Sequence, residues 1–431
     1  MIRPQLAEFM RRMAQRSVAI IPSAREATRS NDTNYRFRQD SDFYYLTSFD
    51  EPEALAVVAP SREQRYTLFV RPRDPEREVW DGPRAGVEGA KEQYGANEAL
   101  PIAEFDTKLE EVLNGASVLY YRLGINPDLD EVIIRQITRL RALTRKKEFR
   151  APETIIDPGT IIHEMRLFKT SEELELMQRA ADIAAEAHCE AMKRVRAGMK
   201  EYEVEALIEH IFRRHGAAAP AYTSIVGGGK NATVLHYVNN TDELRDGDLV
   251  LIDAGAEYRG YASDITRTFP INGRFTRPQR DIYDLVLQTQ LSCIEMVRSG
   301  IDVDALKSHS IEMLTQGMVR LGLLKGEPEK LIEEEKYKQF YMHGLGHFLG
   351  LDVHDVGRYY EDGQPRKLEP GMVMTVEPGL YIAPTTKDIP VQYLGIGVRI
   401  EDDVVVTGNG PRVLTNKVPK QPEEIEALMA K

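Results

Sequence analysis

Residues 246–273 read DGDLVLIDAGAEYRGYASDITRTFPING, in which two runs rich in β-branched and aromatic residues flank a turn near Gly260. Such runs on both sides of a glycine predict two antiparallel β-strands. Asp253 and Asp264 stand inside these runs. Because the side chains of a strand alternate between its two faces, a hairpin can bring both carboxylates to one face of a sheet. The stretch therefore predicts a β-structure that carries paired acids.

The rest of the second half adds helices and further strands to this hairpin. Thr170 with Glu173 has the capping-box pattern of a helix start, and we expect that helix to end at Gly198. A second helix follows it, and two more occupy roughly 276–323. Residues 370–407, with GMVMTVEPGLYI and GIGVRIEDDVVV, again favour strands. Helices grouped apart from largely antiparallel strands predict an α+β fold for this half.

The first third of the chain has a different pattern. Short apolar runs such as YTLFVRP alternate with helical stretches such as DLDEVIIRQITRL. That alternation predicts an α/β domain. Over residues 150–175 the periodicity lapses, and Pro158 and Gly159 interrupt it. We therefore place a domain boundary there, with an amino-terminal α/β domain over 1–165 and a second domain over 166–431.

Composition excludes several classes of function. The 431 residues include 56 Lys and Arg against 68 Asp and Glu, and the resulting net charge of −12 opposes nucleic-acid binding. Apolar runs such as ALAVVA at 54–59 are far shorter than the roughly 20 residues that span a bilayer, so we expect no membrane partner. The charged N-terminal segment lacks the apolar core of a signal peptide. Cys189 and Cys293 allow no disulfide framework, and we expect a cytoplasmic protein.

Several common catalytic motifs are absent from the sequence. There is no G-x-x-x-x-G-K-[ST] phosphate loop, no G-x-G-x-x-G after a strand and no G-x-S-x-G nucleophile elbow. HGLGH places His343 and His347 four residues apart, but it lacks the Glu of the H-E-x-x-H zinc peptidases. These absences argue against nucleotide hydrolysis, Rossmann-type redox chemistry, serine hydrolysis and the commonest zinc peptidases.

What remains is a set of carboxylates inside apolar strand segments: Asp253, Asp264, Glu377 and Glu401. Each one alone has an ordinary structural explanation, as a turn residue or a solvated edge group. Four together point to a metal site, because a buried carboxylate is normally paired, neutralised or bound to a metal. With one imidazole they could hold two divalent cations, and oxygen-rich ligation favours Mn²⁺, with Co²⁺ or Zn²⁺ as alternatives. Two such ions can activate a shared water for hydrolysis.

Four segments of the second half resemble, in order, those of the pita-bread metallopeptidases: VLIDAGAEYRGYASDITRTFPING, MHGLGHFLGLDVHDVG, LEPGMVMTVEPGLYI and GIGVRIEDDVVVT. The resemblance is nearest to the bacterial aminopeptidase P group. FRQDSDFYYLTSFDEPEA and EVWDGPRAG resemble the amino-terminal domain of that group, so the resemblance covers nearly the whole chain. It implies an α+β fold, in which a pita-bread catalytic domain follows an α/β amino-terminal domain.

The resemblance also implies roles for individual residues. Five positions match the metal ligands of the family: Asp253, Asp264, His347, Glu377 and Glu401. In the family, the acids at positions 264 and 401 bridge two ions, the acid at 253 binds one ion, and the residues at 347 and 377 bind the other. The positions that match substrate-contacting residues are His236, His343, His354 and Trp80. Catalytic roles are implied for Glu377, which would take the proton of the attacking water, and for His236, His354 and Arg399.

The implied activity is a metal-dependent aminopeptidase that acts on peptides with proline at the second position. The family also implies a homo-oligomer, either a dimer or a tetramer. A prolidase-type X-Pro dipeptidase shares fold, ligands and chemistry, and it stays open as an alternative. A methionine aminopeptidase fits less well, because it lacks the large front domain. A metal-free creatinase-like enzyme or binding protein would lack the metal ligands, all five of which stand in this sequence.

Overall fold

The computed structural model describes residues 2–146 and 148–430. It divides the chain into two compact units, Met1–Arg166 and Leu167–Lys431. Each unit has a hydrophobic core of its own.

The N-terminal unit is built on a six-stranded mixed sheet with helices between its strands. Its strands are β1 (Ser17–Pro22), β2 (Thr28–Ser30), β3 (Thr33–Asn34), β4 (Leu55–Val58), β5 (Tyr66–Val70), β6 (Glu98–Pro101), β7 (Val118–Tyr120) and β8 (Thr154–Ile156). Its helices are α1 (Pro4–Arg12), α2 (Ser41–Thr47), α3 (Pro75–Asp81), α4 (Gly86–Glu92), α5 (Phe105–Leu113), α6 (Pro127–Leu143) and α7 (Gly159–Leu167), with a 3₁₀ turn at Ile102–Glu104. The sheet order is β6-β5-β4-β1-β7-β8, and only β4 runs antiparallel to its neighbours. The predicted α/β character of this part is confirmed.

Helix α6 shows why the sequence forms these elements. Asn126 caps its start by accepting a hydrogen bond from the backbone of Leu129, and a proline occupies the first helical position. Leu129, Ile133, Ile137 and Leu140 recur at helical spacing and are buried in the core of the unit. The apolar stripe therefore fixes which face of the helix packs on the sheet.

The segment over 150–175 is more regular than the sequence predicted. Thr154–Ile156 forms the edge strand β8, paired parallel with β7, and Gly159–Leu167 forms helix α7. Pro158 stands directly before that helix, where its missing N–H interrupts no intrahelical hydrogen bond. The proline and glycine at which we placed the domain boundary therefore mark a helix start.

The C-terminal unit combines long helices with small antiparallel sheets, which confirms its predicted α+β class. Its helices are α8 (Ser171–Arg194), α9 (Glu201–Arg214), α10 (Arg277–Met296), α11 (Val303–Arg320), α12 (Pro328–Glu333) and α13 (Pro422–Met429), with 3₁₀ turns at Gly229–Thr233, Lys336–Gln339 and Val391–Tyr393. Its strands are β9 (Ala219–Pro220), β10 (Ile225–Gly228), β11 (Leu249–Asp253), β12 (Ala256–Tyr258), β13 (Tyr261–Ala262), β14 (Thr266–Pro270), β15 (Tyr360–Glu361), β16 (Gln364–Pro365), β17 (Val373–Val376), β18 (Gly379–Tyr381), β19 (Gly397–Arg399), β20 (Asp402–Thr407) and β21 (Gly410–Val413).

Two details of this unit differ from the prediction. Helix α8 begins after Thr170 with the expected capping box, but it ends at Arg194, and Gly198 lies in a later turn with a φ of +90°. The predicted hairpin is split: β11 pairs with β14 and places Asp253 opposite Thr266, while β12 and β13 form a shorter hairpin at the tip. The chain therefore changes sheet between its two acids.

The core of the C-terminal unit lies between its helices and these sheets. Helix α8 contributes a stripe of small apolar residues, and β11 and β14 are buried on both faces. Within residues 2–146 and 148–430, no helix combines the length and apolar composition that a bilayer crossing requires.

Candidate metal centre

One cavity of about 540 Å³ in the C-terminal unit brings together nine of the predicted site residues. These residues are His236, Asp253, Asp264, His343, His347, His354, Glu377, Arg399 and Glu401. They come from separate stretches of the chain, so only folding makes them neighbours.

Strand ends position the acids. Asp253 is the last residue of β11, and Asp264 stands two residues before β14 on the partner side of the same ladder. Glu377 directly follows β17, and Glu401 lies between β19 and β20, where its backbone N–H donates to the carbonyl of Thr266. Each acid therefore leaves a rigid strand just where the chain meets the cavity.

His347 lies in an irregular segment that is fixed by backbone hydrogen bonds. Its carbonyl accepts from the N–H of Thr375 at 2.9 Å, and the carbonyl of Leu345 accepts from the N–H of Glu377 at 2.8 Å. Nδ1 donates to the carbonyl of Phe348 at 3.0 Å, which leaves Nε2 facing Asp264 Oδ2 at 3.4 Å and Glu377 Oε1 at 3.6 Å. This arrangement selects the tautomer whose Nε2 lone pair can bind a metal.

Hydroxyl groups orient the carboxylates. Tyr222 donates to Asp253 Oδ1 at 2.6 Å, and its hydroxyl also makes a very short contact with Asp264 Oδ1. Thr266 donates to Glu401 Oε2 at 2.6 Å. Such donors hold the ionised form of an acid and fix its rotation.

Arg399 is a buried cation in direct contact with one of these acids. Its guanidinium donates to Asp253 Oδ2 at 2.5 Å and to the hydroxyl of Tyr381 at 2.9 Å. The arginine is 3% exposed, so its charge is poorly solvated and its attraction to the acids is strong. One guanidinium cannot balance four carboxylates.

The titration behaviour of the cavity shows this imbalance. Burial raises the pKa of Glu377 to about 7, although His347 and Arg399 oppose the change. Burial and the neighbouring acids raise the pKa of Glu401 well above its usual range. Burial lowers the pKa of His347, but the carboxylates of Asp264 and Glu377 outweigh that effect and raise it to about 9. Additional positive charge would therefore stabilise the ionised acids.

The donor set fits divalent cations. Ligand atoms of Asp264, His347 and Glu401 all lie within 4.8 Å of one another. Asp253 joins this group through the shared Tyr222, and Glu377 joins it through His347. Carboxylate oxygens with a single imidazole nitrogen are the ligands of hard or borderline ions rather than of thiolate-type sites.

The other histidines differ in what they offer to the cavity. In His343, Nδ1 donates to the carbonyl of Gly344 and Nε2 accepts from Tyr381 at 2.8 Å, so both ring nitrogens are engaged. Burial and Arg399 lower the pKa of His343 to about 4, which keeps the ring neutral. The His354 ring stands 4.3 Å from that of His347, measured between centroids, and burial lowers the pKa of His354.

Trp80 belongs to the other unit. It lies on helix α3 of the N-terminal unit, where it is 84% exposed.

The sequence interpretation missed several residues that orient the side chains of the cavity. Tyr381, Thr375 and Thr266 all orient predicted site residues, and each stands an even number of residues from one of the acids along an extended segment. Because side chains two residues apart share a face of a strand, this spacing could have identified them. Tyr222 carries no such signal, since it lies far from the strands that bear its partners.

Comparison with known proteins identifies the family of this chain. Residues 175–408 match the family described as metallopeptidase family M24, and residues 3–120 match the aminopeptidase P N-terminal domain. The chain is 48% identical to the Xaa-Pro aminopeptidase of Escherichia coli (strain K12), over 98% of this chain and 97% of that protein.

Solved structures extend the likeness to the fold. The aminopeptidase PepP of Pseudomonas aeruginosa superposes with a TM-score of 0.97 at 49% identity, covering 99% of this chain and 96% of that one. The zinc-substituted aminopeptidase P of Escherichia coli in complex with product superposes with a TM-score of 0.95 at 48% identity, covering 99% and 97% of the two chains.

Proposed function

This chain belongs to metallopeptidase family M24, and from that membership we propose how its residues carry out the reaction. It is a metal-dependent aminopeptidase that hydrolyses the bond between an N-terminal residue and a following proline. An aminopeptidase P type N-terminal domain precedes its pita-bread catalytic domain. The 48% identity to an Xaa-Pro aminopeptidase over nearly the whole chain favours this activity over that of an X-Pro dipeptidase.

Two divalent ions, Mn²⁺ by preference and Co²⁺ or Zn²⁺ as alternatives, are the proposed cofactors. Asp264, Glu401, Asp253, His347 and Glu377 would hold them. The ligand atoms of Asp264, His347 and Glu401, which lie within 4.8 Å of one another, support this assignment. When bound, the ions would polarise the scissile carbonyl and lower the pKa of a water, which makes that water a stronger nucleophile at neutral pH.

Glu377 takes the proton of the attacking water. Thr375 and His347 face its Oε1, so Oε2 is the oxygen that accepts the proton. Because Glu377 lines the cavity beside the other acids, it can then pass this proton to the leaving proline nitrogen.

The remaining polar groups bind and orient the substrate. His236 and His354 line the cavity and can donate to the oxyanion that develops when an amide is attacked. His343 cannot donate in the same way, because both of its nitrogens are engaged, and it offers the face of a neutral ring instead. Arg399 holds Asp253 and Tyr381 in place.

The apolar part of the cavity accounts for proline. Ile225, Leu235, Val238 and Val353 line it together with the polar groups. The nitrogen of an X-Pro bond carries no hydrogen, so its site needs an apolar surface for the ring rather than an acceptor for an N–H. Of the segment HGLGHFLGLDVHDVG, Val353 supplies this surface, while Phe348, Leu349 and Leu351 are buried in the core.

Further proposals concern the whole protein. We place the catalytic domain at 166–431 and the N-terminal domain at 1–165. Trp80 contacts the substrate, and its exposure on helix α3 is compatible with contact to a bound peptide. Free Cys189 and Cys293 support a cytoplasmic location. A homo-oligomer, dimer or tetramer, is proposed from the family.

The convergence of nine predicted residues on one cavity is the observation that carries the mechanism. The test is metal removal: chelation should abolish hydrolysis of an X-Pro-Y tripeptide, and Mn²⁺ should restore it. Elemental analysis of the same samples gives the number of ions per chain. Full activity in metal-stripped protein would contradict the mechanism, and faster hydrolysis of X-Pro than of X-Pro-Y would favour the dipeptidase.

A further inference from the structure

His236 is carried by a segment without long regular structure. Between the end of β10 at Gly228 and the start of β11, the chain forms only the 3₁₀ turn Gly229–Thr233 and irregular backbone. Leu235 and Tyr237, on either side of His236, pack against a small apolar cluster. His236 itself is exposed toward the cavity. The position of His236 therefore depends on this packing and on the contacts that hold the two ends of the segment.

A single buried carboxylate binds both ends of this segment. Glu201, the first residue of helix α9, is fully buried and accepts four hydrogen bonds. Oε1 accepts from the backbone N–H of Gly228 at 2.8 Å and from Asn231 Nδ2 at 3.0 Å, both before His236. Oε2 accepts from the hydroxyl of Tyr237 at 2.8 Å and from the backbone N–H of Asp242 at 2.8 Å, both after it.

The arrangement is suited to holding a fixed geometry. Four donors satisfy the lone pairs of an ionised carboxylate, and hydrogen bonds to a charged acceptor are stronger than those between neutral groups. The position at the start of α9 adds the favourable end of the helix dipole. The backbone N–H of Glu201 also donates to the carbonyl of Asp242 at 3.0 Å, so the exit of the segment is held twice.

We propose that Glu201 is a positioning residue for catalysis, which closes the segment 228–242 at both ends and so sets where His236 meets the substrate. The proposal rests on the substrate role of His236 argued above. Glu201 does not line the cavity, and it acts only through the segment. A misplacement of about 1 Å in a reacting group can lower the rate around 100-fold. Loss of the hydrogen bonds of Glu201 should therefore reduce kcat.

The test is a double-mutant cycle between Glu201→Gln and His236→Ala in the metal-loaded enzyme. Glu201→Gln replaces one carboxylate oxygen, with its two acceptor sites, by an NH2 group that cannot accept, and we expect a 10- to 100-fold loss of kcat with metal content unchanged. In the double variant Glu201→Gln/His236→Ala, kcat should be little lower than in His236→Ala alone, because the histidine that Glu201 positions is already absent. Losses that multiply in the double variant would overturn the proposal.

Hydrogen–deuterium exchange gives a readout that does not depend on activity. In Glu201→Gln, amides over 228–242 should exchange faster, while those of the strand β11 should not. If exchange over 228–242 were unchanged, the proposed role of Glu201 would be contradicted even if activity fell. Undiminished turnover in His236→Ala would instead contradict the role proposed for His236, so the two failures can be told apart.

Two further variants complete the design. Glu173→Gln is the matched control, because Glu173 is also a buried acid in the first turn of a helix, where it accepts from Tyr261. If Glu173→Gln lowers kcat, the factor should multiply with the factor for His236→Ala in the double variant, because the two residues act independently. If Glu201→Gln does not fold, Tyr237→Phe removes one of the four hydrogen bonds, and it should show the same non-additivity with His236→Ala at a smaller magnitude.

Discussion

Thr266 connects two charged residues of the cavity through one hydroxyl. Its Oγ1 donates to Glu401 and accepts from Arg399 Nε at 3.1 Å. The next residue, Arg267, points to the opposite face of the strand and is paired with buried Asp402 at 2.7 Å. Because side chains alternate along β14, Thr266 serves the charged groups of the cavity, whereas Arg267 forms a structural ion pair on the other face of the strand.

The shared acids should be the least replaceable residues. Asp264→Asn and Glu401→Gln each remove a charge that a divalent ion requires, so we expect loss of activity by orders of magnitude together with reduced metal content. Elemental analysis and a tripeptide assay measure both effects. Glu173→Gln is the control, because Glu173 is a buried acid that does not line the cavity, and it should keep normal metal content and rate. Normal metal stoichiometry and rate in either test variant would mean that the metal site lies elsewhere.

The histidines proposed to contact substrate should behave differently from the ligands. In His354→Ala and His236→Ala we expect metal content to hold while kcat falls by about 10²- to 10³-fold, the effect of losing one oxyanion donor. Steady-state kinetics with metal analysis checks this. A histidine whose removal releases metal would be a ligand instead.

Close backbone packing fixes the segment that carries His347. A Cβ at Gly346 would overlap the carbonyl oxygen of Thr375, which belongs to β17 and cannot move aside cheaply. Gly344, two residues earlier, has open space around it. The HGLGH motif therefore contains one glycine that the packing requires and one that it does not.

We expect Gly346→Ala to push His347 away from Asp264 and so to lower metal content and thermal stability. Gly344→Ala should retain metal, because no atom lies within 4 Å of the added methyl group. Metal analysis and thermal unfolding of the pair measure the difference. Equal metal content in both variants would show that the segment can shift without losing its ligand.

Helix α8 is tied to the end of β11 by a buried histidine. His188 Nε2 donates to the carbonyl of Ala254 at 2.9 Å, one residue after Asp253. Burial lowers the pKa of His188 to about 4, below the usual 6.5. The folded protein therefore holds this imidazole neutral under conditions in which the unfolded chain protonates it.

The pH dependence of stability follows from that difference. The contribution of His188 is complete above pH 6.5 and should decline as the pH falls toward 4, by about 1.4 kcal/mol per pH unit, because only the unfolded chain takes up the proton. Urea unfolding at several pH values measures this slope. His188→Gln should flatten it, whereas His210→Gln, at an exposed position of α9, should leave it unchanged. An unaltered slope in His188→Gln would contradict the assignment.

Selectivity for proline is a property of the whole cavity, since its apolar residues come from separate segments. A ring that fills an apolar pocket binds more favourably than a smaller group by about 1–3 kcal/mol. X-Ala-Y should therefore be cleaved at least tenfold more slowly in kcat/KM than X-Pro-Y. Two tripeptides that differ only at the second position test this. Equal values would indicate a general aminopeptidase.

The chemistry of the site could be predicted because it depends on residue type. Carboxylates inside apolar strand segments, such as Asp253 and Glu377, signal a metal site wherever the fold places them, since their burial requires compensation. The helix start at Thr170 was likewise predictable, because a capping box is local. The resemblance to known metallopeptidases supplied the individual roles.

The strand register, the helix α7 and the partners of the acids were decided only by the folded chain. Tyr222 meets Asp253 and Asp264 across long stretches of sequence, and Glu201 reaches both sides of His236 in the same way. No local pattern encodes such contacts, because they depend on how helices and sheets pack against one another. Residue types thus determined which chemistry this protein can perform, and tertiary packing determined which hydroxyls, cations and backbone groups hold it in place.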